Sequence, residues 1–266
     1  MDPLSMFDPE GEVPPAVPAA TLVIFRRAQA DGPPEILMVQ RSKTMSFAGG
    51  AAVFPGGRVD PADFTLAAQL GAIGEDALEE TAGRIAAVRE TLEETGLALG
   101  VEQRPDHADA LRARALLLER GELGPVLDAM GWTLTLDALV PFARWRPKHR
   151  EIRVFDTRFY LADLGTGAVD LQVDDTENTH LFWASAAEAL AMAERGEIKI
   201  IYPTRRNLER LAQFGSFDAA RQHAEDVPVR MITPFMGQRD GQPWLLIPDD
   251  AGYPVDGEPL DMAARG

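Results

Sequence analysis

A chain of 266 residues that is 45% hydrophobic and 26% charged has the make-up of a globular protein with a substantial core, and it reads as one large domain. Cysteine is absent, which excludes disulfides, thiolate metal sites and a cysteine nucleophile and leaves only oxygen and imidazole as metal ligands. A net charge of −16 repels polyphosphate backbones, so long nucleic acid is not expected as a partner. No run of about 18 uncharged apolar residues is available to span a bilayer.

Residues 1–18 hold five prolines and several acids without periodicity, which predicts a flexible tail, with a single ordered domain over 19–266. Neither end carries a leader or address signal, so the cytoplasm is the expected compartment. Residues 21–26 and 35–41 predict two strands joined as a hairpin through Asp31-Gly32-Pro33-Pro34, and 51–54 a short third strand. A Gly-Pro loop follows, from Phe54-Pro55-Gly56-Gly57 through Asp63. The acidic, alanine-rich stretch 64–82 reads as an insertion with a short helix at 75–80, leading to a main helix over 83–95 that Gly96 closes. Helices are predicted at 111–120 and 123–130, and strands at 134–142, 153–161 and 177–183. Ser185 is the expected N-cap of a helix running to 194. Helices dominate 204–223 within a largely helical C-terminal extension (about 202–266), whose apolar runs 227–232 and 244–247 predict an edge hairpin. This order favours an α/β/α sandwich around a mixed sheet over a doubly wound parallel one.

The chemistry is concentrated in Arg89-Glu90-Thr91-Leu92-Glu93-Glu94-Thr95-Gly96-Leu97. At about 100° per residue, with Ile85 as zero, Glu93, Glu90 and Glu94 project near ~80°, ~140° and ~180°, while Val88 and Leu92 fall near ~300° and ~340°. Three carboxylates therefore share one face, opposite the apolar one. Like charges three and four residues apart cost a helix a few tenths of a kcal/mol per pair, so the cluster gains the fold nothing unless cations neutralise it. Hard divalent ions do this through oxygen ligands, and the Gly-Pro loop upstream can bring a backbone carbonyl to the same ions.

Gly57, five residues, Asp63, and then the segment 89–97 resemble the signature of the Nudix hydrolases, GxxxxxE, seven residues, REUxEExGU. Three departures stand out: Asp63 replaces the family's Glu, Thr91 occupies an aliphatic position, and 25 residues separate Asp63 from Arg89, 18 more than the pattern has. The split box resembles the coenzyme A diphosphatase-like branch. So do Gln40-Arg41-Ser42, Phe47, Gly50, residues 53–60, 155–160 and 186–190, although Ala48 stands where many members carry His. The resemblance implies a Nudix-type sandwich and hydrolysis of a diphosphate linkage in a small-molecule substrate, assisted by Mg²⁺ or Mn²⁺. Coenzyme A or an acyl-coenzyme A comes first, with ADP-ribose, NADH, nucleotide sugars or a non-catalytic sensor role as alternatives. Carried over by position, Glu90, Glu93 and Glu94 are metal ligands, with the Gly56 carbonyl as a further one. One of the three glutamates, or Glu177, orients or deprotonates water, and Arg89 takes a structural role against Asp63. A homodimer is compatible with the family.

Arg41, Arg58, Arg144 and Arg146 are candidates for forked phosphate binding, with Phe47 or Trp145 stacking on a base. The four histidines show no ligand spacing, and no GxSxG is present.

Overall fold

The computed structural model describes residues 15–27, 32–42, 48–147, 154–165 and 178–263. Its centre is an eight-stranded mixed sheet. β1 (Val17–Arg26), β2 (Glu35–Arg41), β3 (Ala52–Val53), β4 (Gly56–Arg58), β5 (Val140–Trp145), β6 (Phe155–Asp163), β7 (Asn178–Ser185) and β8 (Met231–Ile232) make it up, in the order β3-β2-β1-β6-β5-β8, with β4 added to β1 and β7 to β2. β1 runs parallel to β6 over nine register pairs, Val17 to Phe25 against Phe155 to Asp163. On its other side the edge of β1 is shared. β2 pairs with its C-terminal end at Phe25 and Arg26, and β4 with Ala19 to Thr21.

Successive side chains of a strand point to opposite faces, and here both faces are buried. Ala20, Leu22, Ile24, Leu37 and Val39 enter one core with Ile85 and Val88, whereas Val23, Phe25, Ile36 and Met38 enter another with Leu208 and Leu211. The apolar runs of β1 and β2 lack polar alternation for this reason. Helices cover both faces. α1 (Pro61–Gln69) and α2 (Glu75–Thr95) lie on the first, with α3 (His107–Arg120) and α4 (Leu123–Met130) packed through a small cluster around Leu92 and Leu117. α5 (Ala186–Glu194), α6 (Tyr202–Leu211) and α7 (Phe217–Asp226) cover the second. The expected sandwich with its mixed sheet is present.

Several boundaries differ from expectation. Order begins before Ala19, because Val17 and Pro18 already pair with β6. The short helix at 75–80 and the main helix are one element, α2, of 21 residues. Gly83 does not break it. A Cβ there would stand 2.8 Å from the Tyr160 hydroxyl, so the glycine lets helix and sheet approach closely. Residues 61–69 form α1, opened by Asp60 and by Pro61 at the first helical position. The strand expected at 134–142 begins only at Val140, after a 3-10 turn at Leu136–Ala138. The C-terminal part is mixed instead of helical. β8 pairs in parallel with β5, and β9 (Phe235–Arg239), β10 (Gln242–Leu246) and β11 (Gly257–Pro259) form a separate antiparallel sheet before α8 (Leu260–Ala263). The expected hairpin between 227–232 and 244–247 is absent because β10 turns back on β9 through Asp240-Gly241. Both of these residues have positive φ, as a two-residue hairpin loop requires.

Candidate active site

The site forms where β4 lies between the N-terminal part of β1 and the second half of α2. Backbone pairing holds the loop down: Leu22 N–H donates to Pro55 O at 2.9 Å, and Val59 N–H to Pro18 O at 2.9 Å. Against α2, the Gly56 N–H donates to Glu94 Oε2 at 2.9 Å. A Cβ on Gly57 would overlap the Glu90 carboxylate, and one on Gly56 would overlap the Ala20 carbonyl. The two glycines therefore bring backbone against carboxylate on one side and strand on the other. Helix α2 ends at Gly96 in the left-handed conformation (φ 73°), with its N–H on Leu92 O. From α3, Arg114 Nε donates to Glu93 O at 2.8 Å and so secures the last turn of α2.

Arg89, 4% exposed, organises the carboxylates. Its Nε donates to Asp63 Oδ1 at 3.1 Å and its NH2 to Asp63 Oδ2 at 2.9 Å, a forked pair with a residue only 1% exposed. The same NH2 reaches Arg58 O at 2.8 Å, and NH1 donates to Glu90 Oε1 at 2.9 Å with Glu93 Oε2 at 3.7 Å. Asp60 Oδ2 lies 3.6 Å from NH2. Burial works against the charge on Arg89, but the hydrogen bonds to Asp63 and the field of Glu90 outweigh it and hold the guanidinium above its ordinary value. The expected contact of Arg89 with Asp63 is present. Asp63 also accepts from Asp60 N–H at 2.9 Å, so it caps α1 while anchoring Arg89.

Burial pushes Glu90 up to about 7 in spite of Arg89 beside it, with repulsion from Glu93 adding to the shift. Arg89 thus does not offset the cost of burying the Glu90 charge. Glu90 and Glu93 open onto a cavity of about 620 Å³, within the usual range for small-molecule sites. Its lining also includes the aromatic residues Phe54, Trp145, Phe155 and Phe159, with Ile201, Pro203 and Thr204 at the start of α6.

The sequence-predicted residues divide. Gly56, Arg58, Arg89, Glu90, Glu93 and Arg41 all line this cavity, and Glu94 sits directly behind it on Gly56. Arg41 Nε is buried there without a hydrogen-bond partner among the described residues. Arg144 is a correction. It does not line the cavity but forks onto Asp156 with two bonds of 2.8 Å, 3.6 Å from Glu79, because β5 places it opposite β6 under α2. Phe47 and Glu177 lie outside the described residues. Sequence reasoning did not single out Asp60, Phe155, Phe159 or residues 201–204 for the site. Pro203, one residue inside a helix start, and the aromatic alternation in β6 were the available signals.

Among the described residues, no three His, Cys, Asp or Glu side chains converge as a ready chelate, since Glu90 is turned onto Arg89 and Glu94 onto Gly56. The donor set nevertheless fits a hard divalent cation. It consists of oxygens only, with the Glu90 carboxylate packed close against Gly57.

A protein-family model for the NUDIX domain matches residues 15–114. The acyl-coenzyme A diphosphatase NUDT19 of Gallus gallus is 29% identical, with 84% of this chain and 73% of that protein aligned. A solved Nudix hydrolase from Alicyclobacillus acidocaldarius is also 29% identical, covering 78% of this chain and 96% of its own, with a TM-score of 0.68. The aligned length in both extends well past residue 114 and takes in most of the sheet. With the glycine cradle, the Arg89 hub and the carboxylate face of α2 in their places, residues 15–114 match a NUDIX domain, and the chain is similar over most of its length to Nudix hydrolases.

Proposed function

We propose that the chain is a Mg²⁺- or Mn²⁺-dependent diphosphatase that hydrolyses the diphosphate linkage of a nucleoside diphosphate derivative, coenzyme A or acyl-coenzyme A first. The products would be adenosine 3′,5′-bisphosphate and a 4′-phosphopantetheine. The observation that carries this reading is the Glu90–Glu93 pair lining a cavity together with aromatic residues and with Arg41, whose Nε has no hydrogen-bond partner among the described residues. The similarity to the Gallus gallus acyl-coenzyme A diphosphatase supports the substrate class. The proposed insertion, about residues 64–82, corresponds to the span from α1 into the first half of α2.

Glu90, Glu93, Glu94 and the Gly56 carbonyl are the residues that would hold the ion. When bound, it would supply charge neutralisation for the phosphate oxygens and make water more acidic. The chain contributes the rest. Arg89 fixes Glu90 and restrains Glu93 through one nitrogen, so that both carboxylates face the cavity. Arg41 Nε offers a donor to a phosphate oxygen, and Phe155 and Phe159 give a flat apolar surface to a base. Water activation falls to one of Glu90, Glu93 and Glu94, or to Glu177.

Steady-state hydrolysis of coenzyme A, acetyl-coenzyme A, ADP-ribose, NADH and a nucleotide sugar, each with Mg²⁺ and with Mn²⁺, tests the reading. The highest kcat/KM is expected on coenzyme A or its thioester. A tenfold preference for ADP-ribose would move the assignment to that substrate, consistent with Ala48 standing where many coenzyme A-cleaving members carry His. Tight binding with no turnover on any substrate would make the chain a sensor.

Gly57→Ala tests the cradle separately. The added methyl meets the free end of the Glu90 side chain, not backbone, so the fold is expected to persist while Glu90 is displaced. Activity should fall by about 10- to 100-fold, as for other changes that misplace a ligand. A kcat/KM within twofold of wild type, measured beside a circular dichroism control, would show that the position of Glu90 is unimportant.

A further inference from the structure

Trp145 stands at the end of β5, 1% exposed, and is among the residues that line the cavity. An indole N–H can only donate, and a buried donor without an acceptor is costly. Its acceptor comes from 108 residues further along the chain: Trp145 Nε1 donates to the Tyr253 hydroxyl at 2.9 Å. The hydroxyl in turn donates to Asn207 Oδ1 on α6 at 2.7 Å. The rings of Trp145 and Tyr253 meet edge to face at 5.7 Å and 88°, and Tyr202 closes on the indole at 6.1 Å and 79°. Arg210 lies over the Tyr253 ring at 5.1 Å, so the phenol is held on its face as well as at its oxygen. Burial pushes the Tyr253 phenol up to about 12, which keeps it protonated and able both to accept from the indole and to donate to Asn207.

These partners all lie beyond the matched NUDIX domain, in the part of the chain that also gives the cavity Ile201, Pro203 and Thr204. We propose that Tyr253 is a positioning residue: through its hydroxyl it fixes the Trp145 indole as a wall of the substrate cavity, so that the C-terminal part of the chain sets affinity for the nucleotide portion of the substrate. This rests on the reading that the cavity receives a nucleoside diphosphate derivative.

Tyr253→Phe removes the hydroxyl and keeps the ring. It is expected to raise KM for the best substrate about fivefold, with kcat changed less than twofold, and to weaken ADP binding, followed by intrinsic tryptophan fluorescence, by a similar factor. If Tyr253 acts through the indole, Tyr253→Phe adds no further loss in a Trp145→Phe background, where there is no N–H to hold. A generally loosened fold would give additive effects and would lower kcat as well. Should Tyr253→Phe not fold, Asn207→Leu leaves the hydroxyl in place without its acceptor and is expected to shift KM and ADP affinity in the same direction. Unchanged KM and ADP affinity in the folded variant, or additivity in the double variant, would overturn the proposal. If no substrate is turned over but ADP affinity falls as described, the positioning role stands and the diphosphatase reading falls. If wild-type protein shows no response to ADP, both fall.

Discussion

Glu94→Gln is expected to reduce kcat by about 10²- to 10⁴-fold with Mg²⁺ or Mn²⁺, the range for removing a positioned acid, base or ligand. The substitution keeps the length and one acceptor oxygen, so the 2.9 Å bond from Gly56 N–H can persist. Glu94 is only 4% exposed, so taking away its charge relieves a buried anion and the folded state is not expected to suffer. The informative combination is therefore a nearly unchanged thermal midpoint with a collapse in turnover. Glu93→Gln, at a residue more than a third exposed, gives a useful comparison. Should Glu94→Gln hydrolyse its substrate as fast as wild type, the place of Glu94 among the ligands is wrong and the assignment narrows to Glu90 and Glu93.

The second large effect concerns stability. Asp63→Ala removes one half of a pair in which Asp63 is 1% and Arg89 4% exposed. Breaking a buried pair from one side leaves an uncompensated charge and costs about 3–5 kcal/mol, more than the pair itself contributes relative to an apolar replacement. Arg89 keeps Arg58 O and Glu90, which softens the loss, but α1 also loses the carboxylate that accepts from Asp60 N–H. Urea unfolding should show a midpoint shift equivalent to at least ~3 kcal/mol. Activity should fall with it, since Glu90 and Glu93 take their orientation from the same guanidinium. Asp63→Glu, the family's residue at this position, is expected to retain the fork with a smaller penalty. A loss below ~1 kcal/mol for the alanine variant would mean that water or Asp60 readily replaces the carboxylate.

The parts of this site that sequence made legible are those encoded locally. The carboxylate face of α2, the glycine after it and the Gly56-Gly57 pair depend on helical periodicity and on backbone that tolerates close approach, and these can be read within ten residues. Residues whose partners lie far off were not legible. Arg144 was a reasonable phosphate ligand until β5 and β6 paired and placed Asp156 beside it. Across the same pair of strands Arg144 sits opposite Arg158, and Glu79 of α2 lies between the two cations, 2.6 Å from Arg158 and 3.6 Å from Arg144. The aromatic lining of the cavity likewise requires β5, β6 and α6 to be placed together. Two misses had local signals after all. Asp60-Pro61 marks the start of α1, and Asp240-Gly241 marks the hairpin of β9 and β10. The first lies within the expected Gly-Pro loop, and the second falls between the two apolar runs expected to pair with each other.

The double duty of Asp63 has an evolutionary consequence. One carboxylate clasps the first turn of α1 to a late turn of α2, while the bend between the two helices stands in solvent, with Ile73 88% exposed. Segments can be spliced into that bend, lengthened or trimmed, without tugging on the reactive end of α2. Such a clasp keeps Asp63 and Arg89, 26 positions apart along the chain, together in space.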